Sequence, residues 1–464
     1  MSLELEQENI GLKEQFEAII QTEDKLAIRE FLDHQNISEV ADLVYEYAEF
    51  DEQIIAGMSV HRAAKVFKIL EFPTQKRIIQ ELPPSKTAEL LNELPADDRT
   101  DFLEELPSNV VRELIKLLDP EERKITLSLL GYPDNSVGRL MTPDYVYVYV
   151  DDTIAEVLDT IRRVGKDSET IDVIYVINNK GELLDDIRIR EFLLNPPDKK
   201  VSELMDDRVI SLNVFEDQEM AYEAFKMNNR VALPVVSNSN KLLGIVTIDD
   251  VLWVASEEFS EDVQKIGGTQ ALDQPYLETS VLGMFKKRII WLMILFVGEL
   301  ITISAMQQFQ DEIAKVVILA TFIPLIISSG GNSGSQASTL VIQAMALGEV
   351  TIADWWKIMR REIISGLLLG AVLCLMGIAV ISAWHFLSDT FGVHYLRIAF
   401  TIGLSLVGIV MWGTLMGSML PLLLKRFGAD PAASSTPFVA TLVDVTGLLI
   451  YFGFASLMLG GILL

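Results

Sequence analysis

Three hydrophobic rhythms follow one another along this chain. Between residues 60 and 130 apolar positions recur at helical spacing inside short segments that close on leucine and proline. Glu81-Leu82-Pro83, Glu93-Leu94-Pro95 and Glu105-Leu106-Pro107 stand twelve residues apart, and Leu118-Asp119-Pro120 continues the series with a one-residue slip. Each unit reads as a turn, a proline near the first helical position and two or three amphipathic turns, which predicts short helices stacked in a superhelical array. From about 140 to 255 the rhythm becomes short strands alternating with helices. Val146–Val150 and Val173–Ile177 are strand-like with a helical pattern between them; Val209–Leu212, a helix near 218–228, Ala232–Val236 and Leu243–Val246 repeat that order. Two β-α-β-β-α modules in tandem fit. From Ile289 onward apolar stretches are long enough to cross about 30 Å of hydrocarbon, which takes roughly 20 helical residues.

Five spans are expected, at about 289–309, 314–347, 363–387, 396–424 and 434–462, the second overlong and interrupted at Gly330-Gly331. The expected fold class is therefore multidomain: a five-helix, all-α transmembrane domain preceded by a superhelical α-helical N domain and tandem α/β modules. The boundaries implied are 1–130 for the helical domain, 131–200 and 201–255 for the modules, 256–285 for a connecting helix and 286–464 for the membrane domain.

Charge sharpens this division. The 464 residues are 50% hydrophobic yet carry a net charge of −28. Residues 1–280 hold 57 acids and 28 bases, a net of −29, and residues 281–464 hold 9 acids and 10 bases, a net of +1. The acidic half excludes nucleic-acid binding, which needs clustered lysine and arginine, and points to cations or basic partners. The single Cys374 forms no intramolecular disulfide and reads as a packing residue; four scattered histidines give no zinc spacing. The polar first 30 residues predict no cleavable signal. Lys286, Lys287, Arg288, Lys357, Arg360, Arg361, Lys425 and Arg426 fall on one side of the five-span arrangement, with Lys315 and Arg397 on the other. The basic side predicts a cytoplasmic N-terminal half and an outside C-terminus in a plasma-membrane protein. Trp355 and Trp356 read as an interfacial anchor.

Ionisable groups inside the spans are few. A carboxylate near the bilayer centre costs roughly 2.5–3.5 kcal/mol, so it usually has a task. Asp444 lies about ten residues into the fifth span, on the face shared by Pro437, Ala440, Thr441 and Gly447. That small, polar face is either a packing seam with one protonated acid or a pore-facing cation ligand. Glu299, as deep in the first span, is either a second pore group or an acid bonded to a neighbouring helix. Asp430, beside Pro431, is either a helix-entry residue or a ligand at the pore mouth. The run Ser328-Ser329-Gly330-Gly331-Asn332-Ser333-Gly334-Ser335-Gln336 is tolerated at membrane depth only when buried in protein or lining a wet cavity. It lacks the lysine and hydroxyl of a phosphate loop. Close helix packing and a pore lining call for the same residues.

In the soluble half, Asp97, Asp98 and Asp101 bunch at one helix start, where the helix dipole favours acids and where a metal could also bind. Asp249, Asp250, Glu257, Glu258, Glu261 and Asp262 make a second run, read either as a solvated face or as a divalent-cation interface.

At this point the residues match a family. Tyr132-Pro133-Asp134-Asn135-Ser136-Val137-Gly138-Arg139-Leu140-Met141, the run Gly330–Thr339, and Asp430-Pro431-Ala432 followed by Ser435, Pro437, Phe438, Thr441 and Asp444 resemble the MgtE family of magnesium transporters over nearly the whole chain. The resemblance implies that the two modules are CBS domains and that the protein is a homodimeric, magnesium-selective channel or transporter, not an enzyme. It implies a pore along the twofold axis, with Asp444 as the selectivity acid and the Ala440 carbonyl facing the ion. Thr441 is expected to help set the pore width. The connecting helix corresponds to a plug that closes the pore when cytoplasmic magnesium is high. The regulatory candidates are then Asp97, Asp98, Asp101, Asp249, Asp250, Glu257, Glu258, Glu261, Asp262 and Asp430. ATP at the CBS pair is a further candidate ligand, with Thr247 and Asp250 as its residues. The chain departs from the family pattern at Leu183-Leu184-Asp185-Asp186-Ile187-Arg188-Ile189-Arg190, where a Gly-Val strand leading into Ser-Leu-Arg is expected, and at Thr436, often Asn or Gly. The alternatives are a carrier for manganese or cobalt, and a non-transporting CBS-type membrane sensor.

Overall fold

The computed structural model describes residues 2–20, 24–206, 208–272, 276–277, 279–388 and 391–460, with side chains throughout except residues 2–10 and 315. Two compact units divide at Ala255/Ser256.

The first unit opens with ten helices: α1 (Ser2–Ile20), α2 (Lys25–His34), α3 (Ile37–Glu46), α4 (Asp51–Gly57), α5 (Val60–Lys68), α6 (Phe72–Glu81), α7 (Pro84–Glu93), α8 (Ala96–Glu104), α9 (Ser108–Ile115) and α10 (Pro120–Leu129). The repeat has a physical basis visible in the packing. Helices α7 to α10 begin at Pro84, Ala96, Ser108 and Pro120, twelve residues apart without a slip. The leucine of each turn, Leu82, Leu94, Leu106 and Leu118, is buried. The slip in the sequence thus belongs to the last proline alone; the buried leucine keeps the phase. Proline ends each unit because extended backbone precedes it and a missing N–H costs nothing in a first helical turn.

One buried cation ties these units together. Arg99 of α8 is fully buried, and its guanidinium donates to the Leu91 and Leu94 carbonyls at 3.1 Å and to Thr126 Oγ1 at 2.9 Å, and pairs with Glu122. It closes the orphaned C-terminal carbonyls of α7 while holding α8 to α10.

A short helix, α11 (Val137–Leu140), leads into two α/β modules. The first contains β1 (Tyr147–Tyr149), α12 (Ile154–Val164), β2 (Val173–Ile177), β3 (Leu183–Arg188) and α13 (Ile189–Leu194); the second contains β4 (Leu212–Asn213), α14 (Gln218–Asn228), β5 (Ala232–Val236), β6 (Leu242–Thr247) and α15 (Ile248–Ile266). In each sheet the middle strand pairs parallel to the first and antiparallel to the third. Both middle strands are buried throughout, and period-two alternation assigns their faces. Ile174 and Val176 face the α12 side, whereas Val173, Tyr175 and Ile177 join Ala232, Val236, Leu242 and Ile245 between the modules. An ion pair between Arg230 and the half-buried Asp186 at 2.7 Å crosses the same junction. Helix α15 then carries the chain into the second unit.

The second unit contains α16 (Val281–Gln308), α17 (Gln310–Lys315), α18 (Val317–Ala346), α19 (Trp355–Ser388), α20 (Tyr395–Arg426) and α21 (Thr436–Leu459). All but α17 are long and apolar enough to cross a membrane. Helices α18, α20 and α21 form the centre, α19 packs on α20, and α16 packs on α21. The expected break at Gly330-Gly331 is absent: α18 runs unbroken for 30 residues. The glycines serve contact instead. A Cβ on Gly330 would collide with Ile409, one on Gly334 would stand 3.0 Å from the Gly413 carbonyl oxygen, and Gly413 and Gly417 of α20 lie against the α18 backbone in turn.

Arg99→Met is expected to lower the stability of the helical array by about 2–4 kcal/mol, because it strands two buried carbonyls and one carboxylate. A thermal melt of the full chain in detergent checks this, with the first transition moving to lower temperature.

Candidate functional site

The intramembrane acids come first. Asp444 sits two turns into α21, half-buried within the single chain, on the same face as Ala440 and Thr441. Glycines on two neighbouring helices make room for that face. A Cβ on Gly331 of α18 would lie 3.4 Å from the Ala440 Cβ and 3.6 Å from Asp444 Oδ1, and one on Gly298 of α16 would lie 2.5 Å from Thr441 Cγ2. Three helices thus converge on Asp444 with almost no side-chain bulk between them. The carboxyl of Glu299, the residue after Gly298, lies beside that of Asp444. Thr441 donates its hydroxyl to the Pro437 carbonyl at 3.0 Å. At the entry of α21, Ser335 and Ser338 of α18 donate to the Thr436 and Ser434 carbonyls, each at 3.2 Å.

The polar run on α18 divides between two faces. Gly330, Gly331, Ser333, Gly334, Ala337 and Ser338 are buried against α20 and α21, whereas Ser328, Asn332, Gln336, Thr339 and Gln343 are exposed along the other side. Close packing and polar lining are therefore properties of opposite sides of one helix.

Asp430 acts as a helix-entry residue: its carboxylate accepts from the Ala432 amide at 2.8 Å and pairs with Lys265 of α15 at 2.8 Å. Lys265 also pairs with Glu261, and burial together with Asp430 raises the pKa of Asp262 despite Lys265. Just beyond α15, Gly268 lies against Pro437 and Ser435, with a positive φ of 76° that favours glycine. The end of α15 is thus seated on the start of α21. Glu257 and Glu258 share α15 with these groups.

A separate acidic group forms in the first unit. Asp97 of α8 is buried, and its Oδ1 has no hydrogen-bond partner among the described residues. Burial, together with Asp250, Asp98 and Glu169, pushes its pKa well above the usual carboxylate value. Asp250, at the start of α15, accepts from Thr247 Oγ1 at 2.6 Å; burial outweighs that bond and pushes its pKa up to about 7. Burial also raises Asp98 and Glu169, in both cases against Lys68. Lys68 lies 3.1 Å from Asp98 and 3.7 Å from Asp249. Burial opposes its charge, but Asp98, Glu169 and Asp249 hold its pKa above the ordinary lysine value. Five carboxyl groups therefore share one lysine. Asp101 is exposed on the same helix. Glu169 and Lys68 carry no mark in the sequence, since only the tertiary fold brings them here. Among the described residues no three acidic, cysteine or histidine groups converge into a complete metal-ligand set. A cation here would be held in part through its own water, as magnesium commonly is.

Comparisons with known proteins agree with the geometry. The sequence profile of MgtE divalent cation transporters matches residues 323–454, that of the MgtE intracellular N domain matches 35–135, and that of the CBS domain matches 137–195 and 201–257. The magnesium transporter MgtE of Thermus thermophilus is 38% identical over 348 residues, 75% of each chain. The chain belongs to the MgtE family. The magnesium transporter MgtE of Enterococcus faecalis is 30% identical over 96% of this chain and 97% of its own. Among solved structures, the cytosolic domain of the Mg2+ channel MgtE in complex with ATP is 33% identical, with a TM-score of 0.50, over 52% of this chain and 98% of its own. The architecture of helical N domain, tandem CBS domains and five apolar helices is that of this family, whose members are magnesium transporters and not enzymes.

The raised carboxyl pKa values carry a sign. An unfolded aspartate titrates near pH 4, so the folded first unit retains protons that the unfolded chain releases between about 4 and 7. Stability from Asp250 is present at low pH and lost as pH rises through about 7, and the raised Asp97 and Asp98 act in the same direction. The melting temperature of the soluble unit is expected to fall from about pH 5.5 to about pH 8 without divalent ions. Millimolar magnesium should restore it at the higher pH, and Asp250→Asn should flatten the slope.

Proposed function

We propose that this protein conducts magnesium across the plasma membrane as a homodimer and is closed by cytoplasmic magnesium. The observation that carries the reading is the convergence of α16, α18 and α21 on Asp444, next to the exposed polar side of α18. Residues such as Asn332 and Gln336 have no place against lipid tails, so a second copy and a water-filled path between the copies would satisfy them. Two Asp444 side chains, one per copy, would meet a hydrated ion there. Magnesium sheds water reluctantly, so few carboxylates suffice, while the Ala440 carbonyl and Thr441 would limit the width of the path. Transport by the two MgtE relatives supports magnesium as the substrate; manganese and cobalt are distinguished by competition in the same flux assay. The basic residues flanking the spans support a cytoplasmic N-terminal half.

Gating follows from the acidic group around Asp97. Its repulsion opposes the compact arrangement of the first unit, and a bound divalent ion favours that arrangement by the difference in affinity between the two states. The partnerless Asp97 Oδ1 fits such an ion, with Asp98, Asp249 and Asp250 at hand. Glu257, Glu258, Glu261, Asp262 and Asp430 form the second acidic region, along α15 and the mouth of α21, and we assign α15 the role of plug. The seat of its end on Pro437 and Ser435, and the Lys265–Asp430 pair, support that role. Thr247 and Asp250 offer a hydroxyl and a carboxylate for a ribose, and the ATP complex of a relative supports nucleotide binding at the CBS pair.

Asp444→Ala is expected to reduce magnesium flux in liposomes to background while expression and dimerisation persist; wild-type flux would sink the assignment. Limited proteolysis supplies a second check. Millimolar magnesium should protect the wild-type soluble half, and Asp97→Asn combined with Asp250→Asn should be protected without it. Identical digestion with and without magnesium would argue against a magnesium-sensing domain.

A further inference from the structure

Lys68 brings a positive charge into the acidic group of the first unit. It is the last residue of α5, and its Nζ lies 3.1 Å from Asp98 Oδ2 of α8 and 3.7 Å from Asp249 Oδ2 of α15. A lysine in a last helical turn also suits the helix dipole, which asks only that the charge stay near the terminal carbonyls. Lys65, in the same turn, meets that need while exposed. Lys68 is instead half-buried, and its one ammonium bridges the helical array to the second module. The bridge leaves a gap. Asp97 Oδ1, in the same group, is buried and has no hydrogen-bond partner among the described residues. An ammonium tethered to α5 reaches two carboxylates at these distances, whereas a free magnesium ion gathers oxygens octahedrally at about 2.0–2.1 Å. An ion that came to the oxygens of Asp98 and Asp249 would meet the ammonium there, and the two cations would repel at close range. The lysine keeps its charge throughout the physiological range, so the contest is one of position and not of protonation.

We propose that Lys68 is a tethered counter-ion: it holds Asp98 and Asp249 when magnesium is scarce and competes with the divalent ion for them. It thereby sets the magnesium concentration at which the soluble unit closes. The inference rests on the reading of this acidic group as a magnesium sensor. It gives Lys68 the opposite sign to a structural bridge that persists beside the ion. Removing a competitor lowers the magnesium needed, whereas removing a persistent bridge raises it. Methionine keeps much of the lysine stem and carries no charge. Arginine keeps the charge.

The test is limited proteolysis of the full-length protein in detergent over a series of magnesium concentrations, comparing wild type, Lys68→Met and Lys68→Arg. A glutamate-specific protease is used, because the substitutions leave its cleavage sites untouched. Size-exclusion elution reports folding. Without magnesium, Lys68→Met should be digested faster than wild type, since the bridge is gone. Its half-protecting magnesium concentration should nevertheless fall about tenfold, the scale of one unit charge removed from beside a divalent ion in a screened site. Lys68→Arg should stay within about threefold of wild type, since the charge is kept. A merely structural role would speed digestion without magnesium but would not lower the half-protecting concentration. An unchanged or raised half-protecting concentration in Lys68→Met overturns the proposal and leaves the sensor standing. An arginine variant that behaves like methionine also overturns it, since charge would then not be the requirement. If Lys68→Met does not fold, Lys68→Gln is judged by the same sign. A wild type whose digestion is indifferent to magnesium removes the sensor and this inference together.

Discussion

The membrane unit depends on backbone lying against backbone. Helices in lipid gain little from hiding apolar surface and must instead gain from close contact. Here Gly330 and Gly334 of α18 meet Gly413 and Gly417 of α20 with no side chain between them. That contact fixes the rotation of α18 about its axis. Ser333, Ser338 and the glycines are committed to the interior, and Asn332 and Gln336 are left on the outer side. The same rotation turns Gly331 toward Ala440 and Asp444. A methyl group at Gly330, Gly334, Gly413 or Gly417 would push apart the helices that frame the acid, so the setting of one carboxylate rests on residues with no side chain.

The soluble unit obeys a different constraint. Its acids are not spread over solvent, where salt would screen them, but are partly withdrawn from water around Lys68. Desolvation makes each charge more expensive and each neutralising event more valuable. A proton taken up here relieves both the desolvation and the repulsion. The arrangement is sensitive because one lysine cannot offset five carboxyl groups.

Much of the architecture was legible in the sequence because it is periodic. The spacing of Leu82, Leu94, Leu106 and Leu118 set the helical array, and the β-α-β-β-α order with its buried middle strands followed from Val173–Ile177 and Ala232–Val236. The five apolar helices were equally plain, since length and hydropathy suffice to find them. Sites assembled across elements were less legible. Asp97, Asp98, Asp249 and Asp250 stood out as runs, but Glu169 and Lys68 lie at positions no local pattern marks. Asp444 and Glu299 were each conspicuous as acids in apolar spans, yet their proximity shows only where Gly298 of α16 meets Thr441 of α21. Gly330-Gly331 was misread as a break because glycine weakens an isolated helix, whereas here packing on α20 and α21 repays that weakness.

Arg99 has a consequence for how force travels. The helix that carries Asp97 and Asp98 is clamped at its other side by a buried guanidinium with four protein partners. A compliant helix would relax the repulsion among its acids by fraying, and the strain would dissipate within a turn. A clamped helix has no such outlet. The Arg99 contacts reach α7 and α10, so a load on α8 is shared with those two helices.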